Sequence, residues 1–156
     1  MADQQPDAQQ PDAQQPEAQQ PPDAELAGLP RRTNRRRAPQ TDAETQQLAR
    51  RIVELASDKK AADIVLLDIH ELTTLADYFV ICSGQSERQL GAIADGIVEG
   101  LREDGVRPIG REGTANAHWL LLDFGGVIAH VMAPPERDFY QLEKLWSEAP
   151  LLLRLQ

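Results

Sequence analysis

The stretch HWLLLDFGGVIAHVM, residues 118–132, decides how the chain is organised. It predicts two short strands joined at Gly125-Gly126, the glycine pair of a tight hairpin whose central residues need positive φ. A two-residue turn fixes the register. Phe124 faces Val127, Asp123 faces Ile128, Leu122 faces Ala129, Leu121 faces His130, Leu120 faces Val131 and Trp119 faces Met132. Alternation then divides the hairpin into two surfaces. His118, Leu120, Leu122, Phe124, Val127, Ala129 and Val131 form a nearly all-apolar face that suits a core. Trp119, Leu121, Asp123, Ile128, His130 and Met132 form a mixed face. Tryptophan is a common anchor of protein interfaces and methionine an adaptable contact. The acid and the imidazole add polar handles. A helix covering this face would make it core instead, and the spacing leaves both possibilities open.

Upstream, strand and helix signals alternate. Thr41 and Glu44 form a capping-box pattern before Leu48, Ala49, Ile52, Val53, Leu55 and Ala56 at helical spacing. Lys59 and Lys60 suit that helix's C-terminal dipole. DIVLLDI (63–69) and DYFVICS (77–83) are apolar on both faces, as interior strands are. Residues 72–76 connect them, with room for one helical turn. Cys82 in the second strand fits a small buried hydrophobe.

Ser83-Gly84-Gln85-Ser86 then turns the chain into its longest helix, with Ser86 and Gln89 as a second capping box. Leu90, Ile93, Ala94, Ile97, Val98 and Leu101 make its apolar stripe, and Gly105 its stop. Residues 107–112, RPIGRE, suit at best an edge strand. If that edge strand pairs in parallel with 77–83, the two form a right-handed crossover. After the hairpin, Pro134-Pro135 opens a last helix placing Phe139, Leu142, Leu145 and Trp146 on one broad face. Pro150 ends it, and residues 151–156 are an apolar tail that must dock or mediate association. These elements predict an α/β domain, a mixed sheet of four to five strands with flanking helices.

The first 40 residues differ in kind. Residues 4–24 repeat QQPDA, QQPDA, QQPEA and QQPPDA, too poor in apolar side chains to offset the entropy of ordering, so they predict a disordered tail. Arg31, Arg32, Arg35, Arg36 and Arg37 follow, five arginines in seven positions. They can tether RNA by releasing counterions from phosphate, or simply solvate a linker. The whole chain carries a net charge of −9, and residues 41–156 hold 11 Lys+Arg against 19 Asp+Glu. Such a domain repels phosphate backbones and matches a basic protein surface. A single cysteine excludes a disulfide framework and fits a reducing compartment. No 18-residue apolar run and no leader-like segment occurs, so a cytoplasmic location is expected.

Chemistry is sparse. His70, His118 and His130 have no neighbours at metal-ligand spacing, and no nucleophile elbow, phosphate loop or zinc-protease motif occurs, so no metal or cofactor is expected. The best enzyme candidate is the Ser83-Gly84 turn. A strand, a glycine turn and a helix N-terminus can hold phosphate, and Asp68 and Asp123 could hold Mg²⁺ as in a nucleotidyltransferase. Helix capping by Ser86 accounts for the same residues more simply.

ADYFVICSGQSERQLGAIAD (76–95), REGTANAHWLLLDFGGVIAHVM (111–132) and ERDFYQLEKLW (136–146) together resemble the ribosomal silencing factor family, also called RsfS or iojap-like. The resemblance covers residues 41–150 with its motifs in order. It implies a small α/β domain, distantly similar to nucleotidyltransferases, that is not an enzyme and is often a homodimer. It implies binding to large-subunit ribosomal protein number fourteen, where the small subunit docks, so that subunit joining is blocked in starved or stationary cells. Trp119, Asp123 and His130 match the family's hairpin pattern, which makes the mixed face of Trp119, Leu121, Asp123, Ile128, His130 and Met132 the expected partner contact. Ser83, Gly84, Ser86 and Arg88 match its turn, expected to be structural. The family usually has Gly-Asp at the hairpin turn; here Gly126 stands in the second position, and one acidic contact would be missing.

Overall fold

The computed structural model describes residues 42–156. In chain order they form α1 (Asp42–Asp58), β1 (Ala62–Asp68), β2 (Tyr78–Ser83), α2 (Glu87–Glu103), β3 (Gly110–Thr114), β4 (Trp119–Asp123), β5 (Val127–Met132), α3 (Pro134–Tyr140), α4 (Leu142–Leu145) and β6 (Leu151–Leu155). Thr41, half of the first expected capping box, and the repeat and arginine run lie outside the described residues.

The hairpin forms in the register its turn dictates, from Trp119 opposite Met132 to Asp123 opposite Ile128. The turn itself differs in one respect. Only Gly125 has positive φ, at 93°, the pattern of a type II′ turn rather than one with both central residues left-handed. Gly126 is needed for space: a Cβ there would lie 2.5 Å from Thr45 Cγ2 on α1 and 3.4 Å from Asp77 Oδ2. Its carbonyl accepts from the backbone N–H groups of Asp77 and Tyr78 at 2.8 and 3.0 Å. Position 126 is therefore a packing position inside the fold.

β5 pairs in parallel with β2, and the sheet runs β3-β4-β5-β2-β1-β6 with every other pair antiparallel. This corrects three expectations. The sheet has six strands, because the apolar tail is an edge strand: β6 pairs with β1, Leu153 opposite Leu66. The weak strand is Gly110–Thr114 and does not pair with β2; it closes the far edge against β4, so α2 crosses over two strands before the chain re-enters the sheet. Glycine content and charge suit it to an edge, where a partner chain is not wanted. The last helix is two short ones, because Gln141 adopts a left-handed conformation (φ 47°, ψ 54°) that breaks the hydrogen-bond ladder.

α1 and α2 cover one face of the sheet. Leu48, Ile52 and Leu55 of α1 and Leu90, Ile93 and Ile97 of α2 meet Leu66, Val80, Leu122, Phe124, Val127 and Val131 in one cluster. This is the apolar face of the hairpin, and each fully buried aliphatic contributes about 1.5–3 kcal/mol. The helices approach closely where Gly100 faces Leu55: a Cβ at 100 would stand 2.4 Å from Leu55 Cδ2. Cys82 lies in this core, and burial pushes its thiol up to about 12, so it behaves as a small apolar residue. α2 ends as Gly105 predicts. Val106 N–H bonds the Leu101 carbonyl and Gly105 N–H that of Arg102, with Gly105 at φ 81°.

Candidate functional site

The opposite face of the sheet is covered by the short C-terminal helices. Leu142 and Trp146 turn inward, and Trp146 packs edge-on against Phe79 of β2 with ring centroids 5.4 Å apart. Beneath them lie Leu121, Asp123, Ile128, His130 and Met132, all at most 8% exposed. Five of the six residues of the mixed hairpin face are thus buried within the domain, and of the two possibilities the spacing left open, cover is the one realised for them. α3, α4 and Trp146 supply the cover that the spacing alone could not place.

Each polar handle has an internal role. Trp119 Nε1 donates to His130 Nδ1 at 3.2 Å, which assigns the His130 proton to Nε2. The His130 ring stands edge-on to Phe79, centroids 4.9 Å apart. Complete burial drives its pKa down to about 3, so it is neutral in the fold. Asp123 Oδ1 accepts from Gly125 N–H at 2.8 Å and pins the hairpin turn.

Trp119 remains partly exposed and begins a chain of ring contacts that ends on Phe139, the most exposed large hydrophobic residue among those described. Tyr140 packs on Trp119 with centroids 4.7 Å apart, and Phe139 stands edge-on to Tyr140 at 5.1 Å. Phe139 is 65% exposed and Leu145, on the next helix, 44%. Without the break at Gln141, Phe139 would share a helix face with Trp146. The break turns Trp146 in and leaves Phe139 out. Phe139 was legible only as an apolar residue of the last helix and Tyr140 was not singled out, since nothing in the spacing marks the left-handed residue between them and Leu142.

The Ser83-Gly84-Gln85-Ser86 turn is built as a structural joint. Ser86 Oγ accepts from Gln89 N–H at 3.1 Å, and Gln89 Oε1 accepts from Gln85 N–H at 2.7 Å, one residue earlier than the standard box. Gly84 permits close approach: a Cβ would stand 3.0 Å from Leu90 Cδ2. Arg88 is exposed on the first turn of α2. Ser83 accepts from Arg137 Nη1 at 2.9 Å, and the guanidinium also clasps Glu143 through Nε at 2.7 Å and through Nη2. This buried arginine, missed by sequence reasoning, fixes α3 and α4 to the end of β2. An open polar cleft of about 550 Å³ lies beside it, lined by Ser83, Gln85, Arg137, Lys144 and Arg154 among others.

The nucleotidyltransferase arrangement fails on topology. Asp68 is paired with Tyr78, at the start of β2, whereas Ser83 ends it. Five residue steps put the acid about 17 Å along the sheet from the turn. Asp123 is at the same far end, level with Ile128 and hence with Phe79. Among the described residues no group of three His, Cys, Asp or Glu is placed to hold a metal ion. His70 is held by Asp68 in a loop at that end.

His118 does not sit on the core side. It has left-handed φ (64°) just before β4 and is partly exposed. Its Nδ1 meets Glu136 of α3 at 2.9 Å and its Nε2 meets Glu87 of α2 at 3.2 Å. These two hydrogen bonds, Glu136 first, raise its pKa above the ordinary value.

Fold and site therefore define a mixed α/β domain whose apolar surface feature is an aromatic ridge over a covered hairpin. A family model described as "Ribosomal silencing factor during starvation" matches residues 42–155, and the chain belongs to that family. The ribosomal silencing factor RsfS of Bacillus subtilis is 46% identical over 94 residues, spanning 60% of this chain and 80% of that protein. A mouse protein named "Mitochondrial assembly of ribosomal large subunit protein 1" is 35% identical over 99 residues, 62% of this chain and 43% of its own. A crystal structure of a Chromobacterium violaceum protein superposes with a TM-score of 0.65 at 38% identity, covering 67% of this chain and 87% of that one.

Proposed function

We propose that this silencing factor binds the large ribosomal subunit through its protein number fourteen and, by occupying the surface where the small subunit docks, keeps the two subunits apart and represses translation in starved or stationary cells. It acts in the cytoplasm and by occupancy rather than turnover. The observation that carries the reading is the ridge of Trp119, Tyr140 and Phe139: one tilted and one edge-on ring contact in succession, with a 65% exposed phenylalanine at the crest. Exposed aromatics on a rigid base are the usual anchors of protein interfaces. Trp119 is the sequence-expected contact that reaches this surface. Leu121, Asp123, Ile128, His130 and Met132 support it from below. A chain of net charge −9 is steered toward a basic ribosomal protein. The relative named for the large ribosomal subunit points to the same subunit. Arg31, Arg32, Arg35, Arg36 and Arg37 would add a salt-sensitive contact to ribosomal RNA, and the factor is a homodimer when free.

The experiment is co-sedimentation with separated subunits, followed by a joining assay. The protein is expected to pellet with large and not small subunits, and to reduce formation of joined ribosomes in proportion to its occupancy. Binding only to small subunits, or binding to large subunits without loss of joining, contradicts the proposal.

A further inference from the structure

Three elements meet at one side chain beside the ridge. His118 precedes Trp119 directly. Its carbonyl accepts from Ala133 N–H at 3.0 Å, at the entry to α3. Its ring touches Glu136 in the first turn of α3, one turn before Phe139, and Glu87 in the first turn of α2. Residues three apart on a helix share a face, so what holds Glu136 also orients Phe139.

The chemistry of that contact selects one protonation state. Both ring nitrogens face carboxylate oxygens, and a carboxylate only accepts. A neutral imidazole has one N–H and would set its other lone pair against an anion. Only the imidazolium donates to both. Glu136 has no alternative: its Oε2 is buried with no hydrogen-bond partner, and its Oε1 bonds His118. The charged groups acting on the ring are Glu136 from α3 and Glu87 from α2. The backbone also bears a cost here, since histidine occupies a left-handed position that glycine or asparagine fills more easily.

We propose that His118 is the positioning residue of the docking ridge: as an imidazolium it bridges Glu87 and Glu136, fixes α3 to the start of β4 and α2, and makes the ridge better ordered at mildly acidic than at alkaline pH. The inference rests on the proposed docking surface for its functional meaning, but its structural content can be tested without ribosomes. Acidification would then favour docking, and loss of the ring proton would loosen one arm of the bridge.

The test is amide hydrogen exchange of residues 136–140, corrected for intrinsic exchange rates, together with NMR titration of the His118 ring in the full-length protein. The ring is expected to titrate above its ordinary value. Protection of α3 should fall about two- to fivefold as pH rises through that transition, the scale of one exposed charge pair. His118→Asn tolerates the left-handed backbone and cannot bridge both acids, so it should lose the pH dependence. Glu87→Gln leaves the fold intact and should lower the ring's titration point. A His118 that titrates at or below its ordinary value, or an unchanged pH profile of α3 in His118→Asn, overturns the proposal. If α3 behaves as expected while large-subunit binding is absent, the positioning role stands and the docking reading fails.

Discussion

Trp119 and His130 share a partly buried hydrogen bond across the hairpin, indole Nε1 to imidazole Nδ1 at 3.2 Å, on a diagonal rather than a directly opposed pair. The bond joins the ridge to the interior. One end is partly exposed and packs at a tilt against Tyr140; the other is completely buried against Phe79. Diagonal neighbours on one sheet face are within reach of aromatic side chains. The pair therefore does two things. It fixes the orientation of the indole, and it gives the imidazole Nδ1 a donor beneath the C-terminal helices, where the ring's Nε2 is buried without a hydrogen-bond partner.

Trp119→Phe should preserve the stacking and remove the donor. His130 Nδ1 is then buried without a partner, a loss of about 1–3 kcal/mol. Urea unfolding of the two proteins measures it. An unchanged midpoint would mean that the imidazole finds another donor.

The same burial makes stability fall with acid. His130 has its ordinary value near 6.5 when unfolded and about 3 when folded. Between those values the unfolded chain binds the proton and the folded one does not, so stability is complete above about 6.5 and declines as pH falls toward 3. At about pH 5 the decline from this residue is about 2 kcal/mol. His118 has the opposite sign. Its raised value means that its contribution is complete below the unfolded value and fades as pH rises through the folded one. His130→Gln should flatten the acid limb of the urea midpoint against pH. An acid limb equally steep in that variant would place the proton uptake elsewhere.

Gly126 should resist enlargement for a reason inside the fold. A methyl group there meets Thr45 Cγ2 at 2.5 Å. Gly126→Ala is expected to destabilise by about 1–3 kcal/mol through overpacking. Thr45→Ser removes the opposing methyl and should recover most of that loss in the double variant. If the two changes are additive, the collision is relieved by movement of α1 instead.

Much of this was legible in the residues. The hairpin register followed from a two-residue turn and strict alternation, and the interior strands from apolar runs such as DYFVICS. Ser86 and Gly105 marked the ends of α2 because capping chemistry is local. What failed was non-local. Periodicity could not show that Gln141 turns left-handed, and with it went the orientation of Phe139 and Trp146. Nothing local told an apolar tail from an edge strand until β1 was there to pair with it. The mixed hairpin face was ambiguous because its covering helices are short and lie after it in the chain. The sequence named Trp119 as an expected contact together with Leu121, Asp123, Ile128, His130 and Met132, while the exposed Phe139 emerged only from the packing of Tyr140 on Trp119.

The most direct measurement is co-sedimentation of Phe139→Ala with purified large subunits, with Leu72→Ala as the control. Leu72 is 39% exposed in the loop between β1 and β2, away from the ridge, and Phe139 is 65% exposed. Neither change should move the urea midpoint by more than about 0.5 kcal/mol, as expected for exposed positions. Phe139→Ala is expected to weaken binding at least tenfold, about 1.4 kcal/mol and within the range of an interface anchor, while Leu72→Ala binds as the parent does. Equal binding by Phe139→Ala and the parent would contradict the assignment of the ridge as the docking surface.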